Sequence, residues 1–164
     1  MTIRSDFEAE LARLAAAATS GPATVEVRDA AGTAVRAELT AVESLGCAVS
    51  HVLVSAPKLA SASAQTLKEW SDRLADRLTY LLESLSPLET DEENGRVLMR
   101  STAPRSLPAG REYYECMLAA ESAGTVSFRR YRAESGVPGR DAVDMTLTGE
   151  VLGRLVGDLV ETMP

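Results

Sequence analysis

Residues 33–41, TAVRAELTA, hold the pattern that decides the fold. Apolar residues occupy every second position and polar residues the positions between them: Val35, Ala37, Leu39 and Ala41 against Arg36, Glu38 and Thr40. Successive side chains of a strand point to opposite faces, so this alternation is typical of an antiparallel strand with one face buried and one in water. We therefore predict a strand from Thr33 to Ala41.

Two flanking segments extend this strand into a small sheet. Residues 24–28 carry two valines at alternate positions, and the turn-forming residues 29–32 connect them to the central strand. Leu45-Gly46 then turns the chain into residues 47–55, which are β-rich and more uniformly apolar. The three segments predict an antiparallel meander.

Helical periodicity predicts a helix near each end of the chain. Residues 5–19 begin with a capping-box pattern from Ser5 to Glu8 and end at Gly21-Pro22, and their apolar stripe consists of Phe7, Leu11, Leu14 and Ala18. Thr148 is a suitable N-cap for the last helix, whose wide apolar stripe consists of Val151, Leu152, Leu155, Val156, Leu159 and Val160.

Residues 63–85 show the longest helical pattern. Ser63 is a suitable N-cap, and Pro87 closes the helix. Apolar residues recur at spacings of three and four along one side: Leu67, Trp70, Leu74, Leu78, Leu81 and Leu85. Charged residues cover the opposite side, which predicts a helix laid across a sheet or another helix. Trp70 is then a core residue or, alternatively, part of a dimer interface.

Short strands separated by turns are predicted between the two later helices. Asn94-Gly95, between residues 88–92 and 96–101, is a strong hairpin signal because both central residues of a type I′ turn need positive φ. A loop rich in proline and serine follows at residues 102–110. Further strands are predicted at residues 111–119, 125–132 and 142–147, with turns at 121–124 and 137–139.

Helices and strands come in blocks, which is typical of the α+β class. We predict a single domain over residues 1–164: a twisted antiparallel sheet, formed by the three-strand meander and C-terminal hairpins, packed by three helices. One sheet face is expected to accommodate two helices side by side. A third apolar stripe would then be left for a twin subunit, which predicts a homodimer.

Composition restricts the location and the partners. The 164 residues carry a formal net charge of −7, which argues against a general nucleic-acid binder because phosphates are bound by clustered cations. The sequence shows neither a secretory signal nor an apolar run long enough to cross a bilayer, so we expect a cytoplasmic protein without a membrane partner. Cys47 and Cys116 lie in apolar runs and are expected to be buried thiols, with a disulfide or a reactive thiol as alternatives.

Residues that carry catalysis or bind cofactors do not form a recognisable motif. The single histidine, His51, lies within a predicted strand and has no GxSxG nucleophile elbow to serve, so we expect a structural histidine. One histidine and two distant cysteines do not supply a zinc ligand set, and no phosphate-binding glycine motif occurs. A run of four carboxylates is expected to form a solvated hairpin tip, with a cation site as the alternative: Glu89, Asp91, Glu92 and Glu93. We predict no catalytic, cofactor or metal site.

Arginine and aromatic residues cluster between residues 111 and 132. Four of the seven aromatic residues lie there, and residues 96–140 hold eight arginines against four acidic residues. Such residues on a sheet anchor a protein partner, stack on bases, or form an outer face paired with acids such as Glu112 and Glu115. No RNP-like motif accompanies them, so nucleic acid is not expected. The candidate partner-binding residues are Tyr113, Arg129, Arg130, Tyr131 and Arg132.

The order of elements in the first hundred residues resembles the small acidic chaperones of bacterial type III secretion systems. The segments that carry the resemblance are the N-terminal helix at 7–14, the strands around 35–39 and 49–54, the striped helix at 67–85 and the hairpin at 88–100. The helix from Thr148 would match the family's last helix. The resemblance implies an α+β dimer that binds an unfolded segment of a partner without catalysis. Residues 111–147 add strands that the family's usual pattern lacks.

We therefore predict a non-catalytic protein-binding module, chaperone-like or an adaptor, whose partner is another protein or a second copy of the chain. The alternative is a small-ligand-binding domain, or an enzyme that uses arginine and tyrosine side chains in a pocket. A deep pocket at Arg129, Arg130 or Tyr131 favours the alternative. An open hydrophobic groove or a large apolar dimer face favours the first.

Overall fold

The computed structural model describes residues 1–17, 21–121 and 124–164, so the predicted stripe residue Ala18 and the centre of the predicted turn at 121–124 lie outside the described residues. The described helices are α1 (Ile3–Ala16), α2 (Ala64–Arg77) and α3 (Gly149–Glu161), with a short 3-10 helix at Pro57–Ser61. The described strands are β1 (Ala23–Arg28), β2 (Ala34–Val42), β3 (Cys47–Ser55), β4 (Leu85–Asp91), β5 (Arg96–Ser101), β6 (Arg105–Leu107), β7 (Gly110–Ala119), β8 (Thr125–Glu134), β9 (Asp141–Val143) and β10 (Met145–Leu147).

The strands form one antiparallel sheet with the main order β1-β2-β3-β8-β7-β5-β4. The meander predicted from residues 24–55 is confirmed, since β2 pairs with β1 on one side and β3 on the other. Strands β7 and β8 pair along their whole length, from Gly110 opposite Glu134 to Ala119 opposite Thr125. The predicted α+β class with an antiparallel sheet is therefore confirmed.

The last two strands fill a gap between β3 and β8. These two pair only from Val52 opposite Phe128 to Ser55 opposite Thr125. Beyond that point β9 pairs with β8 and β10 pairs with β3, so the predicted strand at 142–147 is divided in two. Between the halves, the Asp144 carboxylate accepts a hydrogen bond of 2.7 Å from the Thr40 hydroxyl. Strands β9 and β10 thus pair with backbone groups that would be left unpaired where β3 and β8 separate.

All three described helices pack on one face of the sheet. Helix α1 contacts β1 and β2, α3 contacts β3, and α2 contacts β4, β5 and β7. Their stripes join the buried side chains of one sheet face in a single hydrophobic core. The opposite face, carried by residues such as Leu53, Met117 and Arg129, has no described helix over it, and we call it the helix-free face.

The expectation of a third stripe left for a twin subunit is wrong, because the described part of each helix packs its apolar stripe, buried or half-buried, against the core of the same chain. Close packing of α1 on α3 makes the room. A Cβ atom at Gly153 would lie 2.6 Å from Glu8 Oε1, and one at Gly157 would lie 2.7 Å from Arg4 Cδ. These glycines let the two helix backbones approach, so three helices fit side by side.

Helix α1 begins two residues earlier than predicted. Thr2 is the N-cap, and its hydroxyl accepts the Ser5 amide at 3.1 Å while the Ser5 hydroxyl accepts the Thr2 amide at 3.0 Å. Ser5 thus holds the third position of the capping box, and Glu8, the residue predicted to complete a box at Ser5, pairs with Arg4 at 2.9 Å instead. Phe7 and Leu11 are buried as expected.

Helix α2 is shorter than predicted, although its stripe is correct. Ser63 caps it as expected, but the helix ends at Arg77 and not at residue 85. Leu78, Leu81 and Leu85 are also buried, but they lie after the end of α2 on backbone that is not helical. Their helix-like spacing therefore reflects burial and not a helix. Within the connection to β4, Leu82 has a φ of +64° and is 99% exposed.

The predicted hairpin exists, but its turn differs from the prediction. Strands β4 and β5 pair in antiparallel register with Asp91 opposite Arg96, so four residues form the loop in place of a two-residue type I′ turn. Gly95 has a φ of +61°, whereas Asn94 is not among the described residues with positive φ. The Asp91 carboxylate holds the loop by accepting the Asn94 amide at 3.1 Å. The predicted loop at 102–110 also contains a strand, β6, which pairs with the start of β7.

No helix in the described part of the chain is both long enough and apolar enough to cross a bilayer.

Candidate functional site

The five predicted partner-binding residues lie on both faces of the sheet. Because side chains alternate along a strand, Tyr113, Arg129 and Tyr131 project on the helix-free face, whereas Arg130 and Arg132 project on the helix-covered face with Phe128. The sheet therefore brings the first three together and holds the other two apart from them. Whether any of them binds a partner stays a prediction.

On the helix-free face, arginine side chains stack on a tyrosine pair. The rings of Tyr113 and Tyr131 lie 6.2 Å apart, as cross-strand neighbours of β7 and β8. The Arg140 guanidinium lies 3.8 Å from the centre of the Tyr131 ring, and the Arg100 guanidinium lies 4.8 Å from that of Tyr113. Each separation is within the range of a cation–π interaction. Arg111 lies over Tyr113 at 5.9 Å.

Glu115 fixes two of these arginines. Its carboxylate accepts the Arg100 guanidinium at 2.6 Å and also binds Arg140, and its side chain is almost fully buried beneath them. Arg129 is the cross-strand neighbour of Glu115 on β8. We call Arg100, Arg111, Tyr113, Glu115, Arg129, Tyr131 and Arg140 the arginine–tyrosine cluster.

A β-bulge turns His51 toward this cluster. The register of β2 on β3 shifts between Glu38 and Leu39, where Ser50 is left without a partner. The irregularity places His51 beside Ser127 and Arg129 of β8, with its Nε2 atom 2.8 Å from the Ser127 hydroxyl and its Nδ1 atom 3.2 Å from Arg129. Sequence reasoning predicted a structural histidine but not these partners.

The partners of His51 determine its tautomer. A guanidinium only donates, so Nδ1 accepts from Arg129, and Nε2 carries the proton and donates to Ser127. A serine nucleophile needs the opposite arrangement, with the imidazole accepting the serine proton and an acid orienting its far nitrogen. In this geometry His51 holds Arg129 and Ser127 in place and does not activate the hydroxyl.

We expect His51 to titrate below its ordinary pKa of 6.5, because burial and then the Arg129 charge disfavour the imidazolium. With a lowered folded-state pKa, His51 contributes stability above pH 6.5 that is lost as the pH falls toward the folded-state value. His51→Gln should weaken this acid dependence and leave binding by the protein largely intact. An NMR titration of the imidazole measures the pKa, and a value above 6.5 contradicts the assigned hydrogen bonds.

The helix-covered face carries a second charged cluster, which lies next to the segment that follows α2. Arg130 binds Glu83 at 2.7 Å and Glu112 at 3.3 Å, and Arg132 also binds Glu112. Hydrogen bonds from Arg132 hold the pKa of Glu112 below its ordinary value despite partial burial, and Arg130 adds to the effect. The Arg130 guanidinium lies 4.3 Å from the centre of the Tyr114 ring, whose pKa is raised by burial.

A cavity of about 490 Å³ opens beside these side chains. Its lining includes Glu83, Glu112, Tyr114 and Arg130. Sequence reasoning missed Glu83, Glu112 and Tyr114 as parts of a site, although one signal was available. Arg130 follows Phe128 by two residues on a strand and so shares its buried face, an uncommon place for an arginine.

The remaining candidates for chemistry are spread over the fold. Within the described ranges, histidine, cysteine and acidic side chains form no group of three that could hold a metal ion. Cys47 and Cys116 are buried and free, as expected, and burial raises the pKa of the Cys116 thiol to about 12. The four carboxylates between residues 89 and 93 are all exposed, Glu89 and Asp91 at the end of β4 and Glu92 and Glu93 in the hairpin loop.

Comparison of the chain with protein-family models, with curated proteins and with solved structures gave no match. The resemblance to type III secretion chaperones therefore stays a prediction from the order of elements.

Proposed function

We propose that the chain is a non-catalytic protein-binding module, chaperone-like or an adaptor, that binds an acidic segment of a partner protein on its helix-free face. The observation that carries the proposal is the arginine–tyrosine cluster. Arginine and tyrosine are, with tryptophan, the side chains enriched at the energetic centre of protein interfaces. Here their positions are already fixed by stacking and by Glu115, which lowers the entropy lost on binding.

Charge selects the partner. The whole chain has a formal net charge of −7, but within the cluster four arginines, Arg100, Arg111, Arg129 and Arg140, stand against the single carboxylate of Glu115. A positive surface attracts acidic segments and repels the same positive surface on a second copy of the chain.

An apolar row beside the cluster supplies a second element of recognition. Register places Leu53, Met117 and Leu98 on one line across β3, β7 and β5, with Ser127 of β8 between the first two. All three apolar side chains are half-buried and project on the helix-free face. A segment that alternates acidic and apolar residues complements both the cluster and this row.

A labelled peptide that alternates glutamate with leucine tests the proposal, with a matched peptide that has glutamine in place of glutamate. We expect the acidic peptide to bind the native chain, more weakly as salt increases, and the double substitution Arg129→Gln with Arg140→Gln to weaken binding about tenfold or more. Arg13→Gln with Arg28→Gln is the matched control, since both side chains are exposed outside the cluster. Fluorescence anisotropy measures the affinities.

Equal binding of the acidic and glutamine peptides, or equal affinity of the cluster and control variants, would overturn the proposal. The homodimer predicted from the sequence would bear on this proposal only if the second copy occupied the helix-free face. If light scattering on the native chain gives the mass of two copies and the cluster variant gives that of one, a second copy and not an acidic partner occupies the face.

A further inference from the structure

The cavity beside Arg130 lies on the helix-covered face of the sheet, opposite the face assigned to a protein partner. We call it the Arg130 cavity. Its volume of about 490 Å³ falls in the range of small-molecule sites. The lining combines the apolar side chains of Leu81 and Leu82 with charged side chains from five separate segments: Glu83, Arg105, Glu112, Arg130 and Asp144.

Two charged side chains at this cavity have incomplete hydrogen bonding. The Arg130 side chain is only 7% exposed, and its Nη1 atom is buried with no hydrogen-bond partner among the described residues. The Glu83 side chain is 10% exposed, and its Oε1 atom is likewise buried without a partner in that part of the chain. Arg130 Nη2 and Glu83 Oε2 meet at 2.7 Å, so the unpaired donor and the unpaired acceptor belong to one ion pair.

Unpaired buried atoms of this kind are rare in folded proteins, because each forfeits the hydrogen bonds that water gave it. Arg130 Nη1 requires an acceptor, and Glu83 Oε1 requires a donor. A ligand that satisfies both therefore carries an acceptor and a donor a short distance apart.

The charges of the cavity select among such ligands. The lining carries two arginines, Arg105 and Arg130, and three carboxylates, those of Glu83, Glu112 and Asp144. Arg132 forms an ion pair with Glu112, so three positive charges stand against three negative ones. A phosphate or dicarboxylate would meet three carboxylates with little net attraction. A molecule with one carboxylate and one ammonium group has no net charge, so it leaves the charges of the cavity balanced. It also offers a charged partner to each unpaired atom.

The backbone before Glu83 gives independent support. Leu82 lines the cavity and has a φ of +64°, the one positive value among described residues other than glycine. Leucine rarely adopts this conformation, and such strain is concentrated at functional sites. The strained turn presents Glu83 to Arg130 on one side and the Leu82 side chain to the cavity rim on the other.

We propose that the Arg130 cavity binds a small zwitterion of the α-amino acid type, with its carboxylate on Arg130 Nη1, its ammonium group on Glu83 Oε1 and an apolar side chain against Leu81 and Leu82. The module would then bind its protein partner and a small ligand on opposite faces of the sheet.

Calorimetric titration of the native chain tests the proposal with matched probes. L-leucine carries all three groups, 4-methylpentanoate lacks the ammonium group, and 3-methylbutylamine lacks the carboxylate. We expect leucine, or another member of a panel of proteinogenic amino acids, to bind, and the two truncated analogues of that ligand to bind about tenfold more weakly or worse, since each leaves one buried charged atom unpaired.

Two variants locate the site. Glu83→Gln keeps the shape of the side chain but removes its charge, and it should weaken amino-acid binding about tenfold, whereas Glu121→Gln, at an exposed ion pair with Arg96, should not. Arg130→Met should abolish binding and Arg96→Met should leave it unchanged. If Arg130→Met does not fold, the glutamate pair and the probe series decide.

Three results would each overturn the proposal. They are no binding of any amino acid by the folded native chain at roughly millimolar concentration, equal binding of the truncated analogues, and unchanged binding by Glu83→Gln. In the first case water alone satisfies the two atoms, and the ion pair is a structural contact between β8 and the segment that follows α2. None of these results depends on the acidic-peptide experiment, which concerns the opposite face.

Discussion

Replacing Gly124 with alanine is expected to lower the free energy of unfolding by about 2–5 kcal/mol. Gly124 is buried directly before β8, and its carbonyl accepts the Ala56 amide at 3.1 Å. A Cβ atom there would lie 2.8 Å from the Ala56 carbonyl oxygen and 2.9 Å from the Ala60 amide nitrogen, and closer still to the Leu59 side chain. These are backbone atoms of the 3-10 helix and its N-cap and the side chain of a core residue of that helix, so none of them moves aside cheaply.

Backbone conformation adds to the effect at Gly124, and a second glycine separates the two causes. Gly124 has a φ of +74°, which costs an alanine about 1–2 kcal/mol. Gly136 has a φ of +77° but nothing within 4 Å of an added Cβ, so Gly136→Ala measures the conformational cost alone. Urea denaturation of both variants gives the comparison. A Gly124→Ala loss no larger than that of Gly136→Ala would mean that the contact with the 3-10 helix relaxes freely.

The sequence predicted the elements whose side chains alternate between core and water. Strand β2 and the stripe of α2 are correct because burial imposes a period of two on a strand and of about 3.6 on a helix. The same logic explains the error at the end of α2. Leu78, Leu81 and Leu85 are buried, and their spacing fits a helix, but burial alone does not specify the backbone that carries a side chain. The positive φ at Leu82 could not be predicted from the sequence, because leucine is not a residue that favours this conformation.

The candidate site was predictable in part. The alternation that identified β2 also applies to β8, and it separates Arg129 and Tyr131 from Arg130 and Arg132. The Arg130 cavity was beyond prediction, because Glu83 meets Arg130 across 47 positions of sequence and from a segment expected to be helical. The position of β9 and β10 between β3 and β8 likewise depends on where those two strands separate, which no local sequence pattern encodes.

Leu74→Ala is expected to lower the free energy of unfolding by about 2–5 kcal/mol, the usual range for truncating a buried leucine. Leu74 is 0% exposed and lies on the stripe by which α2 packs against β4, β5 and β7. Leu67 and Trp70 occupy the same stripe, and the Trp70 indole donates to the Thr162 hydroxyl at 2.8 Å, which ties α2 to the end of α3. The neighbours of Leu74 are thus held by other contacts and cannot close a cavity left by the missing side chain.

Leu88→Ala provides the matched control for this substitution. Leu88 lies on β4, but it is 52% exposed and sits where the pairing with β5 shifts register. The same atoms are removed from a site that is largely hydrated, so the expected loss is below about 0.5 kcal/mol. Denaturant unfolding of the two variants, with equal m-values, isolates the contribution of the α2 stripe. A loss of less than about 0.5 kcal/mol for Leu74→Ala would contradict the packing of α2 on the sheet, because a leucine buried among fixed neighbours cannot be truncated at so small a cost.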